Sequence, residues 1–113
     1  MKVLDRLQAG DQALVPAFWG VEVLNSLLVG ERRGRITPEQ TAAFLGALKV
    51  LNPVFDCATL EQVAGPAQMI CREFRLAPYD ALYIELSMRS GCALATLDQP
   101  QRDAATASGV VCL

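Results

Sequence analysis

The sequence predicts an α/β fold of three-layer α/β/α type, a parallel sheet covered by helices on both faces. Short apolar runs at Ala13-Leu14-Val15, Val54-Phe55, Cys92–Thr96 and Val110–Leu113 alternate with longer segments of helical spacing. Alternating strands and helices imply parallel pairing, with each crossover packed on the sheet. At 113 residues the chain suffices for one domain with a real core, spanning 1–113, and not for two.

The elements follow from local signals. Val3, Leu4 and Leu7 stand at helical spacing over residues 2–9, with Gly10 as the stop. Ala13-Leu14-Val15, bounded by Asp11 and Pro16, is a buried strand. Pro16 opens a helix running to about Arg33, in which Phe18, Trp19, Val21, Val23, Leu24, Leu27 and Leu28 make nearly every side apolar; Gly34 ends it. Thr37 is the N-cap of the next helix, with Pro38 at its first position and Gln40 closing a capping box. That helix reaches about Leu51, where Asn52-Pro53 stops it before the short strand at Val54-Phe55.

Thr59 to Arg75 reads as one or two helices interrupted near Gly65-Pro66. Ala77-Pro78 starts a helix to about Ser90, and Gly91 ends it. Cys92–Thr96 is then a buried strand delivering Asp98 at its C-terminal end, Gln101 to Ser108 a short helix, and Val110–Leu113 a last strand. There is no internal repeat, linker or low-complexity tract.

Composition narrows the chemistry. Apolar residues make up 52% and charged residues 19%, which is globular rather than disordered. No run approaches the roughly 18 apolar residues of a membrane span, since Glu22 and Asn25 break the longest candidate. The charged start MKVLDRLQAG has no signal-peptide apolar stretch, so a cytoplasmic location is expected. Four cysteines lie far apart without a CxxC pair, and histidine is absent. These facts argue against a zinc site, histidine acid-base catalysis and Ser-His-Asp or Cys-His nucleophiles. The cysteines are expected to be buried free thiols.

Carboxylates remain, and three stand out. Glu22, Asp80 and Asp98 occur in the apolar segments VPAFWGVEVLNSLL, APYDALYIEL and ALATLD, where a charge is seldom tolerated unless paired or metal-bound. Glu22 is near the start of a helix that follows a strand, Asp80 is in a first helical turn, and Asp98 follows a strand end. In an open parallel sheet all three positions belong to the carboxyl edge of the strands, where such folds keep their sites. Helix N-termini favour ionised carboxylates there. Clustered carboxylates repel unless a cation intervenes, which points to Mg²⁺ or Mn²⁺ and to phosphodiester chemistry.

Taken singly, each residue has a plainer explanation: a first-turn carboxylate favoured by the helix dipole, a turn residue, a charge at a helix edge. Taken together at one edge, in a chain without histidine, they favour a metal site. Trp19 and Tyr83 read as core packing rather than base-stacking platforms. Glu31-Arg32-Arg33-Gly34-Arg35 reads as a solvated helix end, with a phosphate-contacting patch as its alternative.

VPAFWGVEVLNSLL followed by ERRGRIT, then LAPYDALYIELSMRSGCALATLD, resembles the PIN domain in its VapC-like toxin form over essentially the whole chain. The resemblance implies a metal-dependent ribonuclease of a bacterial toxin-antitoxin pair, commonly dimeric and held inactive by a cognate antitoxin. The family's second, third and fourth acidic positions fall on Glu22, Asp80 and Asp98, and its supporting hydroxyl falls on Thr96. The family, however, begins with a central strand carrying its first metal-ligand aspartate, followed by a helix, and this chain starts inside the next helix. About 25 residues are therefore expected to be missing. Asp5 in MKVLD imitates that first strand, yet the segment to Asp11 leaves no room for the intervening helix, so Asp5 reads as an exposed helical residue.

Without its central strand the sheet would have two unpaired inner edges, which invites strand exchange between copies. Two functional expectations follow: a ribonuclease using Glu22, Asp80 and Asp98, or a catalytically impaired PIN remnant that binds an antitoxin or itself. The net charge of −2 does not separate them.

Overall fold

A computed structural model describes residues 13–113; the expected helix over 2–9 and Asp5 lie outside the described residues. Strand β1 is Leu14–Pro16 and strand β2 is Val54–Asp56. They pair in parallel, Leu14 against Val54, Val15 against Phe55 and Pro16 against Asp56. The pairing is extended by Val54 N–H donating to Ala13 O and Ala17 N–H donating to Asp56 O, both at 2.8 Å. Proline tolerates a strand end, where no ladder N–H is required of it. Pro16 thus closes β1 instead of opening the helix, and α1 runs over Trp19–Arg32.

Helix α2, Pro38–Leu51, starts as the sequence predicts. Gln40 N–H donates to Thr37 Oγ1 at 3.1 Å and Thr37 N–H to Gln40 Oε1 at 2.9 Å. Thr41 Oγ1 donates to Glu31 Oε2 at 2.7 Å, fastening α2 to α1. After β2 come α3 (Leu60–Gln62), a π-helical turn (Val63–Ala67) and α4 (Gln68–Phe74). The interruption expected at Gly65-Pro66 is this turn. Pro66 lacks an N–H and its ring crowds the carbonyl four residues back, so the helix widens there without breaking. A second capping box, Thr59 with Gln62, starts the segment.

Helix α5 is Pro78–Ser90, with Gly91 at φ 72° as its left-handed stop. Ala81 and Ile84 on its inner face are fully buried. They form the core with Ile70 of α4, Leu94, Val110, and Ala104 and Ala105 of α6, which spans Gln99–Ala107. This core lies in the C-terminal half of the chain.

The strands expected at Cys92–Thr96 and Val110–Leu113 contract to one parallel bridge, Leu94 to Cys112. Leu94 N–H donates to Val111 O at 2.8 Å and Leu113 N–H donates to Leu94 O at 2.9 Å. Only Leu94 of its segment is buried; Ala93 and Ala95 have too little side chain to hold a longer run against the core. Among the described residues no strand joins this bridge to the β1–β2 pair.

The thiols are free as expected, but they are not all buried. Cys57, after β2, and Cys92, after the Gly91 stop, are exposed; Cys71 and Cys112 are half-buried against the core. Nor does the apolar girth of α1 find cover among the described residues. Val21 is 71% exposed, and Leu24, Leu28 and Phe44 of α2 are exposed as well. No helix is long and apolar enough among the described residues to cross a membrane.

Candidate functional site

Three helix N-termini supply the site. Glu22 stands in the first turn of α1, Asp80 in the first turn of α5, and Asp98 is the N-cap of α6. Each carboxylate therefore faces the positive end of a helix dipole. The capping role of Asp98 is explicit: its Oδ2 accepts from Gln101 N–H at 3.0 Å. Asp98 is thus a helix cap rather than a turn residue after a strand, and its other carboxylate oxygen accepts no hydrogen bond from the described residues.

Glu22 and Asp98 each lie within electrostatic reach of Asp80. The Asp80 carboxyl is pushed above the usual carboxylate range, first by its burial and then by the charges of Asp98 and Glu22. No hydrogen bond reaches the Asp80 carboxylate from the described residues, whereas Glu22 and Asp98 each have one. Glu22 Oε1 accepts from the Tyr83 hydroxyl at 2.5 Å. Asp80 and Tyr83 share a face of α5, so this helix both contributes a carboxylate and anchors its neighbour.

The hydroxyl of Thr96 ties together the segment that leads into α6. Its Oγ1 accepts from Asp98 N–H at 3.0 Å and donates to Gln101 Oε1 at 2.6 Å. Gln101 Nε2 then donates to Asp80 O at 3.1 Å. The turn bearing Asp98 is in this way laced to the first turn of α5.

Tyr83 packs against the core as expected, whereas Trp19 lies outside that core beside the exposed Phe55. Phe18 meets Tyr79 and Tyr83 edge-on, with ring centroids 5.0 Å and 5.6 Å apart, and Trp19 lies 6.3 Å from Phe55. The hydroxyl of Tyr83 is what that expectation overlooked. Behind Phe18 a cavity of about 230 Å³ is lined by Ala17, Asp56, Cys57, Leu82 and Glu85 among others, and none of the three carboxylates faces it.

Asp56 ends β2 at the same sheet edge, but it is already neutralised. Arg89 Nη1 and Nη2 donate to its two oxygens at 3.0 Å and 2.6 Å, and Arg89 Nε donates to the buried Glu85 at 2.7 Å. The Glu85–Arg89 spacing is readable in the sequence as an i,i+4 pair. Asp56 is a long-range partner with no local signal.

Among the described residues no three acidic or cysteine side chains stand close enough together to ligate one ion directly. An all-oxygen donor set suits a hard cation, and Mg²⁺ keeps most of its waters, bound through one or two carboxylates. Asp80 with Glu22 or Asp98 offers donors of the right chemical type for such an ion.

The chain matches no protein-family model and no curated protein.

Proposed function

We propose that this chain is a Mg²⁺- or Mn²⁺-dependent endoribonuclease of PIN-domain type, similar to the VapC-like toxins of bacterial toxin-antitoxin pairs. The observation that carries the reading is the placement of Glu22, Asp80 and Asp98 at three separate helix starts, with Asp98 and Glu22 near enough to Asp80 to raise its carboxyl pKa. On this reading the β1–β2 pair and the Leu94–Cys112 bridge are the two outer parts of one three-layer α/β/α sheet, whose central strand is not among the described residues.

Asp80 would be the main metal ligand, shared with Glu22 or Asp98. Bound there, the ion would acidify a water and offset the charge building on a phosphoryl oxygen. Glu22, held through one oxygen by Tyr83, presents the other to orient or deprotonate the attacking water, as does Asp98 with its uncapped oxygen. Attack is in line, with no covalent intermediate. Exposed Arg32, Arg33 and Arg35 offer cations to the RNA backbone. The protein acts in the cytoplasm as a homodimer or strand-exchanged oligomer under the control of an antitoxin protein.

The exposed apolar surface of α1 and α2 favours a second reading. Val21, Leu24, Leu28 and Phe44 suit a binding module, a PIN remnant that associates with an antitoxin or with itself and does not cleave. Incubation of the purified chain with mixed RNA in Mn²⁺ or Mg²⁺ separates the two. Cleavage that is lost with chelator and in Asp80→Asn supports the nuclease; a folded chain that leaves the RNA intact overturns it in favour of the binding module. Sedimentation of the same sample as a monomer would remove self-association from either reading.

A further inference from the structure

We propose that Gln101 is a positioning residue of this site, its buried side-chain amide setting the distance between Asp80 and Asp98. The inference rests on the metal-site reading and adds a residue to it.

Gln101 is 6% exposed, an unusual place for an amide, and burial of a polar group costs free energy unless its hydrogen bonds are made. All the bonds that matter here lead to the site. Its backbone N–H donates to Asp98 Oδ2, its Oε1 accepts from Thr96 Oγ1, and its Nε2 donates to Asp80 O. One residue therefore touches both acidic segments and the hydroxyl between them.

The direction of the amide is also fixed. The Asp80 carbonyl can only accept, so the amide nitrogen of Gln101 faces it. The amide oxygen then faces Thr96 Oγ1, which donates to it while accepting from Asp98 N–H. An apolar side chain of equal size would fill the same volume beside Ala104 and Ala105 without this directional link. The link counts because Asp80 and Asp98 repel each other, and a side chain tied to both segments resists their separation. Loss of such outer partners commonly weakens metal affinity about 10- to 100-fold.

The test is Mn²⁺ alone, titrated calorimetrically into the wild-type chain, Gln101→Met, Asp80→Asn and Gln99→Ala. Gln99 is an exposed neighbour bonded to Asp103, and it controls for substitution in the same helix. Wild type and Gln99→Ala should bind alike, and Gln101→Met should bind roughly tenfold or more weakly. Its RNA cleavage should fall in kcat with KM little changed. A Gln101→Met protein that melts earlier yet binds Mn²⁺ as wild type does has lost only packing, and the proposal is overturned. If Gln101→Met does not fold, Thr96→Val breaks the link from its other end and is judged by the same comparison. A wild type that binds Mn²⁺ no better than Asp80→Asn overturns the metal reading itself, an outcome distinct from equal binding by wild type and Gln101→Met.

Discussion

The Tyr83 hydroxyl donates to Glu22 Oε1 at 2.5 Å across 61 positions of sequence. The bond joins α1, which contributes little to the core, to α5, which forms its centre. Burial, the bond to Glu22 and the nearby charges of Glu22 and Asp80 all push the Tyr83 hydroxyl well above its ordinary pKa, so it remains a donor throughout the physiological range. Hydrogen bonds to charged groups contribute about 1.5–3 kcal/mol, less where solvent competes. Tyr83→Phe should therefore lose about 1–2 kcal/mol in urea unfolding. Cleavage of RNA should drop roughly tenfold in kcat as Glu22 gains freedom to rotate. Unchanged stability would mean that the bond does no more than water does.

Asp80 predicts an inverted pH response. Its native carboxyl pKa lies above the ordinary value of 3.8, so the folded state holds the proton more tightly than the unfolded chain. Its contribution to stability is then fully present below about pH 3.8 and is lost as pH rises through the native value. At neutral pH the ionised Asp80 is a burden on the metal-free protein. Asp80→Asn should raise the melting temperature at pH 7, and the gain should fade on acidification. Addition of Mn²⁺ should raise the melting temperature of wild type and leave Asp80→Asn unmoved. A variant less stable than wild type at pH 7 without metal would refute the repulsion on which the site is built.

What the sequence disclosed and what it hid divide along physical lines. Local signals were legible: the Thr37–Gln40 capping box, the Gly91 stop and the placement of Glu22 and Asp80 at helix starts depend on neighbours within one turn. Apolar runs overstated the strands, because periodicity reports what can be buried, not whether a partner strand is there to extend the ladder beyond Leu94 and Cys112. Tyr83 to Glu22, Gln101 to Asp80 and Arg89 to Asp56 left no local signal, because each joins residues far apart in sequence that only the folded arrangement of the elements brings together.

The Arg89 fork supplies the last prediction. It binds Asp56 at the end of β2 and Glu85 within α5, and Glu85 is only 3% exposed. Removing one partner from a fully buried pair costs about 3–5 kcal/mol, and here the one-third exposure of Arg89 lets solvent offset part of that. Arg89→Met should lose about 1–3 kcal/mol, and adding Glu85→Gln should recover a sizeable part, since the stranded charge is then gone. The acid limb carries a second signature. The hydrogen bonds from Arg89, assisted by its charge and opposed by burial, hold the Asp56 carboxyl below 3.8. That contribution is present above about pH 3.8 and is lost as pH falls through the lowered native value. Wild type should therefore lose stability steeply on acidification below pH 4, and Arg89→Met should lose less over the same interval. Parallel acid limbs for the two proteins would show that β2 is held to α5 by packing and not by this ion pair.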